Sequence, residues 1–218
     1  LYICTIENMY EHIKFKNAIN MRKANYDKFP STKLTGMLVQ GWDIIISMLK
    51  EKMDARKVLA VDLYTGVYEE EVLDAFSKEF SGRVMNVRDL MKPEKEIQTL
   101  TERFMTEDVL FGYVTNLKLE DYLDADKVAA ARKQISEAKD AIVIIGTGAS
   151  VVAPQDAMVV YADMARWEIQ QRFRRHEVKA LGIDNRNDAV SLQYKRGYFN
   201  DWRVCDRYKE RLFDRVEF

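Results

Sequence analysis

Short apolar runs with little polar interruption alternate along this chain with segments whose apolar residues recur every three to four positions. The runs RKVLAVDLY (56–64), GRVMNVRDLM (82–91), AIVIIGTG (141–148) and AMVVYAD (157–163) are rich in Val and Ile. Runs of this kind predict strands buried on both faces, as in a parallel sheet. Between them, GWDIIISMLKEKM (41–53) places Trp42, Ile45, Ile46 and Leu49 at i, i+3, i+4 and i+7, which predicts an amphipathic helix. TGVYEEEVLDAFSKEF (65–80) turns at Gly66 and becomes a helix with Glu69, Glu70 and Glu71 in its first turn, where carboxylates suit the positive end of the macrodipole. KPEKEIQTLTERFM (92–105) carries Pro93 at a helix start. Residues 119–140 read as one alanine-rich helix, 164–181 as one long helix, and the tail as helical from about Trp202 onward. DVLFGYVT (108–115) reads as either a strand or an irregular apolar segment, and 182–190 as a loop. Strands alternating with helices predict an α/β fold, a mainly parallel sheet with helices on both faces. The domain is expected over 21–218. Residues 1–20 differ in pattern and read either as an amino-terminal extension or as an ordinary first helix.

Composition narrows the function classes. With 218 residues and 47% apolar content the chain can build one sizeable core, and a net charge of −1 provides no global field for nucleic acid or an anionic membrane. The apolar run from Ala141 to Ala153 is too short to span a bilayer and is broken by Gly146 and Gly148. Cys4 and Cys205 fit a reduced, cytoplasmic pair. His12 and His176 are the only histidines, too few for a zinc site of the usual kind, whereas an all-carboxylate magnesium site stays open.

In an open parallel sheet, ligands gather at the carboxyl ends of the strands. Three such ends stand out. AVDLYTGVYEEE has the layout of a phosphate loop with Thr65 and Gly66 in the turn. It is a degenerate Walker A: Val67 and Tyr68 stand where Lys and Ser/Thr would, and the three glutamates occupy the helix start. Such a loop should not hold ATP in the standard way, and it reads equally as a well-capped strand-to-helix turn. VRDLM offers Asp89, and the first strand offers Asp62, as base or magnesium ligand if the chain is a phosphotransferase; an aspartate ending a strand is also a common turn former. IIGTGAS carries Gly146 and Gly148, which allow close approach of either a ligand or a neighbouring backbone. On the helix RWEIQQRFRR, Arg172 and Arg175 lie near Glu168 and could grip a phosphate or pair with carboxylates. Lys195 and Arg196 are further anion candidates. From Ser191 onward, seven Lys/Arg stand against five Asp/Glu, too small an excess for nucleic-acid binding.

The order of these parts, with IVIIGTG and VVYADMARWEIQQRFRR, resembles the uridine-kinase and pantothenate-kinase branch of P-loop kinases, which implies a P-loop-kinase-like three-layer sandwich. NYDKFPSTKLTG, GWDIII, VLFGYVTNLKLEDYLDADK, GTGAS and LGIDNRNDAVSLQYKRGYFNDWRVCDRYK resemble the amino-terminal part of long bacterial class I mannose-6-phosphate isomerases, over about 21–218. That resemblance implies a kinase-like domain beside a zinc-dependent cupin isomerase domain, with zinc only in the cupin half and no isomerase residue transferable to this chain. The expected function is a non-catalytic module that binds a phosphorylated small molecule, a sugar phosphate or nucleotide, or regulates the isomerase. The alternatives are an active phosphotransferase with a non-standard loop, using magnesium, and an assembly module whose aromatic and basic tail docks a partner. An oligomer is compatible with all three.

Overall fold

The computed structural model describes Ser31 and residues 38–218. Four strands form one all-parallel sheet: β1 (Val58–Leu63), β2 (Arg83–Asn86), β3 (Ile142–Gly146) and β4 (Met158–Ala162), in the order β2-β3-β1-β4. Their register runs from Val58 opposite Ile142 to Asp62 opposite Gly146, and from Leu59 opposite Met158 to Leu63 opposite Ala162. The central strands β1 and β3 are buried along their whole length, as their unbroken apolar runs require.

Alternate residues of the strands face opposite layers. Leu59, Val61, Val143 and Ile145 pack against Ile46, Leu49 and Met53 of α1 (Trp42–Met53) and Val72 and Phe76 of α2 (Glu69–Glu79). Val58, Ala60, Ile142, Ile144 and Val159 face the other layer. That layer holds α3 (Glu94–Met105), α4 (Ala125–Glu137), the short α5 (Ala149–Val152), α6 (Arg166–Arg174), α7 (Val190–Arg196) and α8 (Trp202–Leu212). The result is the α/β sandwich that the alternating periods predict.

Three stretches differ from their predicted form. The helix expected over 164–181 ends at Arg174, and His176 turns the chain with φ 56°. Beyond it Val178 and Ala180 are buried while Glu177 is exposed and Lys179 half-buried, a period of two that a continuing helix could not serve. The helix expected over 119–140 is divided. A 3₁₀ turn covers Leu119–Tyr122, and Asp124 then caps α4 by accepting from the Asp126 and Lys127 amides at 3.0 Å each. The tail becomes helical earlier than Trp202, with α7 passing into α8 through a π-helical turn, Gly197–Asp201. Gly197 does not break this helix because its φ and ψ are helical, and its missing Cβ leaves room for the Trp202 ring, whose nearest atom would lie 2.9 Å from it.

Residues 108–115 are irregular, the second of the two readings given to them. The expected extension at 1–20, Cys4, His12 and the motif NYDKFPSTKLTG (25–36) apart from Ser31 lie outside the described residues. No helix among the described residues is long and apolar enough to cross a membrane.

Candidate functional site

The loop from β1 to α2 is held from three sides. The Tyr64 amide donates to the Ala162 carbonyl, and the Val67 amide donates back to the Tyr64 carbonyl, closing a tight turn. Gly66 sits in it with φ 95°, and a Cβ there would lie 2.8 Å from Ile169 of α6. Only glycine fits both the conformation and the contact. From α6, Arg172 Nη1 donates to the Gly66 carbonyl at 2.7 Å, and its guanidinium lies 3.6 Å from the centre of the Tyr68 ring. The Tyr68 hydroxyl donates to Glu177 at 2.5 Å, and Arg175 Nε donates to the same carboxylate at 2.9 Å. Glu168 accepts from both arginines. Arg172 and Arg175 thus fasten the loop and the strap that follows α6.

Between this loop and that strap lies a cleft of about 850 Å³, counting the part open to solvent. It occupies the carboxyl edge of the sheet, where the connections leaving β1 and β3 diverge to opposite sides. Thr65, Gly66, Tyr68 and the start of α2 form one wall, Asn86, Arg88 and Thr147 the floor, and residues 177–182 with Arg186 the far wall. The three glutamates of α2 are each engaged. Glu69 meets Arg88 Nε at 3.1 Å, Glu70 meets Lys179 Nζ at 2.7 Å, and Glu71 accepts from Trp42 Nε1 at 2.9 Å. Lys179 holds the Glu70 carboxyl below its ordinary range, and Arg175 with Tyr68 does the same to Glu177. Arg186 pairs with Asp184 at 2.6 Å and lowers that carboxyl to about 2. Three cations therefore line the cleft beside the amino end of α2, whose N-cap residue Tyr68 supplies no side-chain hydrogen bond to the first-turn amides.

The second glycine turn has a different occupant. Asp62, fully buried at the end of β1, reaches across to β3's exit. Its Oδ1 accepts from the Gly148 and Ala149 amides at 2.7 and 3.1 Å, and its Oδ2 from the Ser150 amide at 2.7 Å and the Tyr208 hydroxyl at 2.9 Å. Burial pushes this carboxyl up, and its hydrogen bonds with Ser150, Gly148 and Tyr208 pull it back. The protein's own carboxylate fills the nest that an anion would use. Gly148 serves that nest with φ 97°, while Gly146 packs on Val87, where a Cβ would come within 2.9 Å.

The remaining sequence candidates are scattered. Asp89 is exposed on the 3₁₀ turn Val87–Leu90 and does not line the cleft. Lys195 is buried and ties down the Thr106 and Asp108 carbonyls. Arg196 is buried beside Asp201 at 3.5 Å and donates to Thr101 at 3.0 Å. The Cys205 thiol is buried, which pushes its pKa far up and leaves it unreactive. Among the described residues, no group of three or more His, Cys, Asp or Glu is placed to hold a metal ion. Of the expected ligand residues, the fold brings Thr65 and Gly66 to the cleft, with Arg172 and Arg175 behind its loop. Arg88, Lys179 and Arg186 were not anticipated. Arg88 sits directly before Asp89 at a strand end, a position sequence reasoning could have reached; Lys179 and Arg186 arrive on a strap whose extended form the helical reading hid.

The domain of unknown function DUF8485 matches residues 41–218, from the glycine that precedes α1 to the last residue of the chain. The chain belongs to the DUF8485 family. The match takes in every strand of the sheet and every residue of the cleft, so the geometry above lies within the family's domain. No curated protein matches the chain.

Proposed function

We propose that this domain is a non-catalytic module that binds a phosphorylated small molecule in the switch-point cleft. The observation that carries this reading is the convergence of Arg88, Lys179 and Arg186 on the uncapped amino end of α2. Phosphate at a helix start gains from both the free amides and the dipole, and cations beside it add charge-assisted hydrogen bonds. Glu70 does not close the site. It is 76% exposed, and an exposed pair of this kind is worth about 0–1 kcal/mol, so a dianionic phosphate displaces it from Lys179 at small cost. Thr65 and Thr147 line the same space and suit a polar ligand body such as a sugar. The phosphotransferase reading loses the two bases the sequence offered, because both oxygens of Asp62 are committed to amides and Tyr208, and Asp89 does not line the cleft.

The resemblance to the amino-terminal part of mannose-6-phosphate isomerases makes hexose 6-phosphates the first ligands to test and a cupin isomerase domain the first partner. A cytoplasmic setting belongs to the same proposal, and the buried, unpaired Cys205 suits it. The test is thermal stabilisation of the full chain titrated with mannose 6-phosphate, fructose 6-phosphate, inorganic phosphate and ATP with magnesium. A ligand at 100 times its Kd should add about 2.7 kcal/mol, a rise of roughly 5–10 °C. Lys179→Ala and Arg88→Ala should each weaken binding by about 10-fold or more while leaving the unliganded Tm within a few degrees. Absence of stabilisation by every phosphate compound, or unchanged affinity in both variants, would contradict the proposal.

A further inference from the structure

On the far side of α6 from the cleft, the protein holds an apolar loop out in water. Val109, Leu110 and Phe111 are 72%, 66% and 68% exposed. The loop is firmly built. Asp108 accepts from the Leu110 and Phe111 amides at 2.7 and 2.6 Å, and Thr106 donates to the Phe111 carbonyl at 2.6 Å. The Tyr113 amide donates to the Phe104 carbonyl at 2.8 Å, and buried Lys195 grips the loop from below. A segment tied this thoroughly has already lost the freedom that binding would otherwise have to remove.

Next to this knob runs a groove. Phe173, Val190, Tyr194, Tyr198 and Phe199 line it together with the loop, and Tyr194 and Tyr198 are themselves exposed. Among the described residues its charged lining is Arg174 and the buried Lys195, with no carboxylate. Arg174 is exposed and has no ion-pair partner among the described residues. The knob carries the opposite sign: exposed Glu107 and Asp108 stand directly before Val109. One chain therefore presents an acidic, apolar knob beside a basic-rimmed, apolar groove.

We propose that this face is the two-fold interface of a homodimer, with the 107–111 loop of each copy seated in the groove of the other. A two-fold contact needs a surface complementary to itself, and a knob beside a hole of matching polarity and opposite charge meets that need. The dimer brings Glu107 of one copy to Arg174 of its partner. It also covers the exposed side chains of Val109, Leu110 and Phe111. The phosphate cleft is not part of this face, so the two readings stand or fall separately.

Analytical ultracentrifugation of the full chain over a range of concentrations tests it. Wild type should form a dimer. Phe111→Glu should weaken self-association by about 30-fold or more without lowering the Tm of the monomer, because Phe111 makes no core contact of its own. Glu107→Arg and Arg174→Glu should each weaken the dimer, and the two together should restore it. Three results would overturn the proposal. One is a wild-type monomer at every concentration. Another is a dimer indifferent to Phe111→Glu and to both charge reversals. The third is a monomer that Phe111→Glu destabilises, which would place a segment of the same chain in the groove.

Discussion

Replacing Asp62 by alanine is expected to lower stability by about 3–5 kcal/mol, roughly 10 °C in Tm, without any direct contact to the cleft. The carboxylate satisfies four donors at once: the amides of Gly148, Ala149 and Ser150 and the hydroxyl of Tyr208. All lie in the core, where water cannot take over the lost bonds without opening the layer of α5 and α8. The residue also links three elements, because β1 supplies the acid, the β3–α5 turn the amides and α8 the hydroxyl. Asp62→Asn keeps the shape but cannot accept on both sides, so it should lose an intermediate amount, about 1–2 kcal/mol. Tyr208→Phe removes one bond of the four and should cost about 1 kcal/mol. Denaturant unfolding of the three variants gives the order Asp62→Ala, Asp62→Asn, Tyr208→Phe. An Asp62→Ala protein as stable as wild type would mean that the carboxylate is not what holds this nest.

Asp201→Ala is expected to cost a similar amount, about 3–5 kcal/mol, for a different reason. Asp201 lies in the π-helical turn, fully buried, with Oδ2 accepting from the Leu181 amide at 3.2 Å and Oδ1 facing Arg196 at 3.5 Å. Burial pushes its carboxyl up, while Arg196 pulls it down. Removing the acid strands a guanidinium that is itself buried and whose only hydrogen bond among the described residues is to Thr101. The Leu181 amide is also orphaned, which loosens the strap that forms the far wall of the cleft. The pair is long and several of its polar atoms lack hydrogen-bond partners among the described residues, so it contributes little on its own account. Replacing both members, Arg196→Met with Asp201→Leu, should therefore cost much less than Asp201→Ala alone. Chemical denaturation of the single and double variants checks this. A double variant less stable than the single would show that the ion pair is a net source of stability.

Much of the fold could be read from periodicity. The four apolar runs became the four strands, and α1, α2 and α3 begin within a few residues of where Trp42, Glu69 and Pro93 place them. The errors share a cause: the apolar residues at 178–181 and 119–123 read as helix together with their neighbours, whereas Val178 and Ala180 alternate with less buried residues and Leu119–Tyr122 closes a separate 3₁₀ turn. The site was legible in part. A glycine turn after the first strand pointed to the cleft, and Thr65 and Gly66 line it. The partnerships were not legible. Nothing local in VRDLM tells that Arg88 will meet Glu69, nineteen residues earlier, or that Lys179 will cross 109 positions to Glu70. The same holds for Asp62, whose role as an internal anion depends on the register that sets it opposite Gly146. Lys195 and Arg196 illustrate the reverse, cations that suggest an anion site in sequence but point into the core because α7 begins at Val190 and turns them inward.

The amide spectrum of the isotope-labelled full chain, recorded while a hexose 6-phosphate is added, bears most directly on where an anion binds. Saturable shifts are expected at Gly66, Tyr68, Glu69 and Glu70, with the amides of Gly148, Ala149 and Ser150 unmoved because Asp62 already occupies them. Shifts centred on Gly148 to Ser150, or none at the amino end of α2 with any phosphorylated compound, would contradict it.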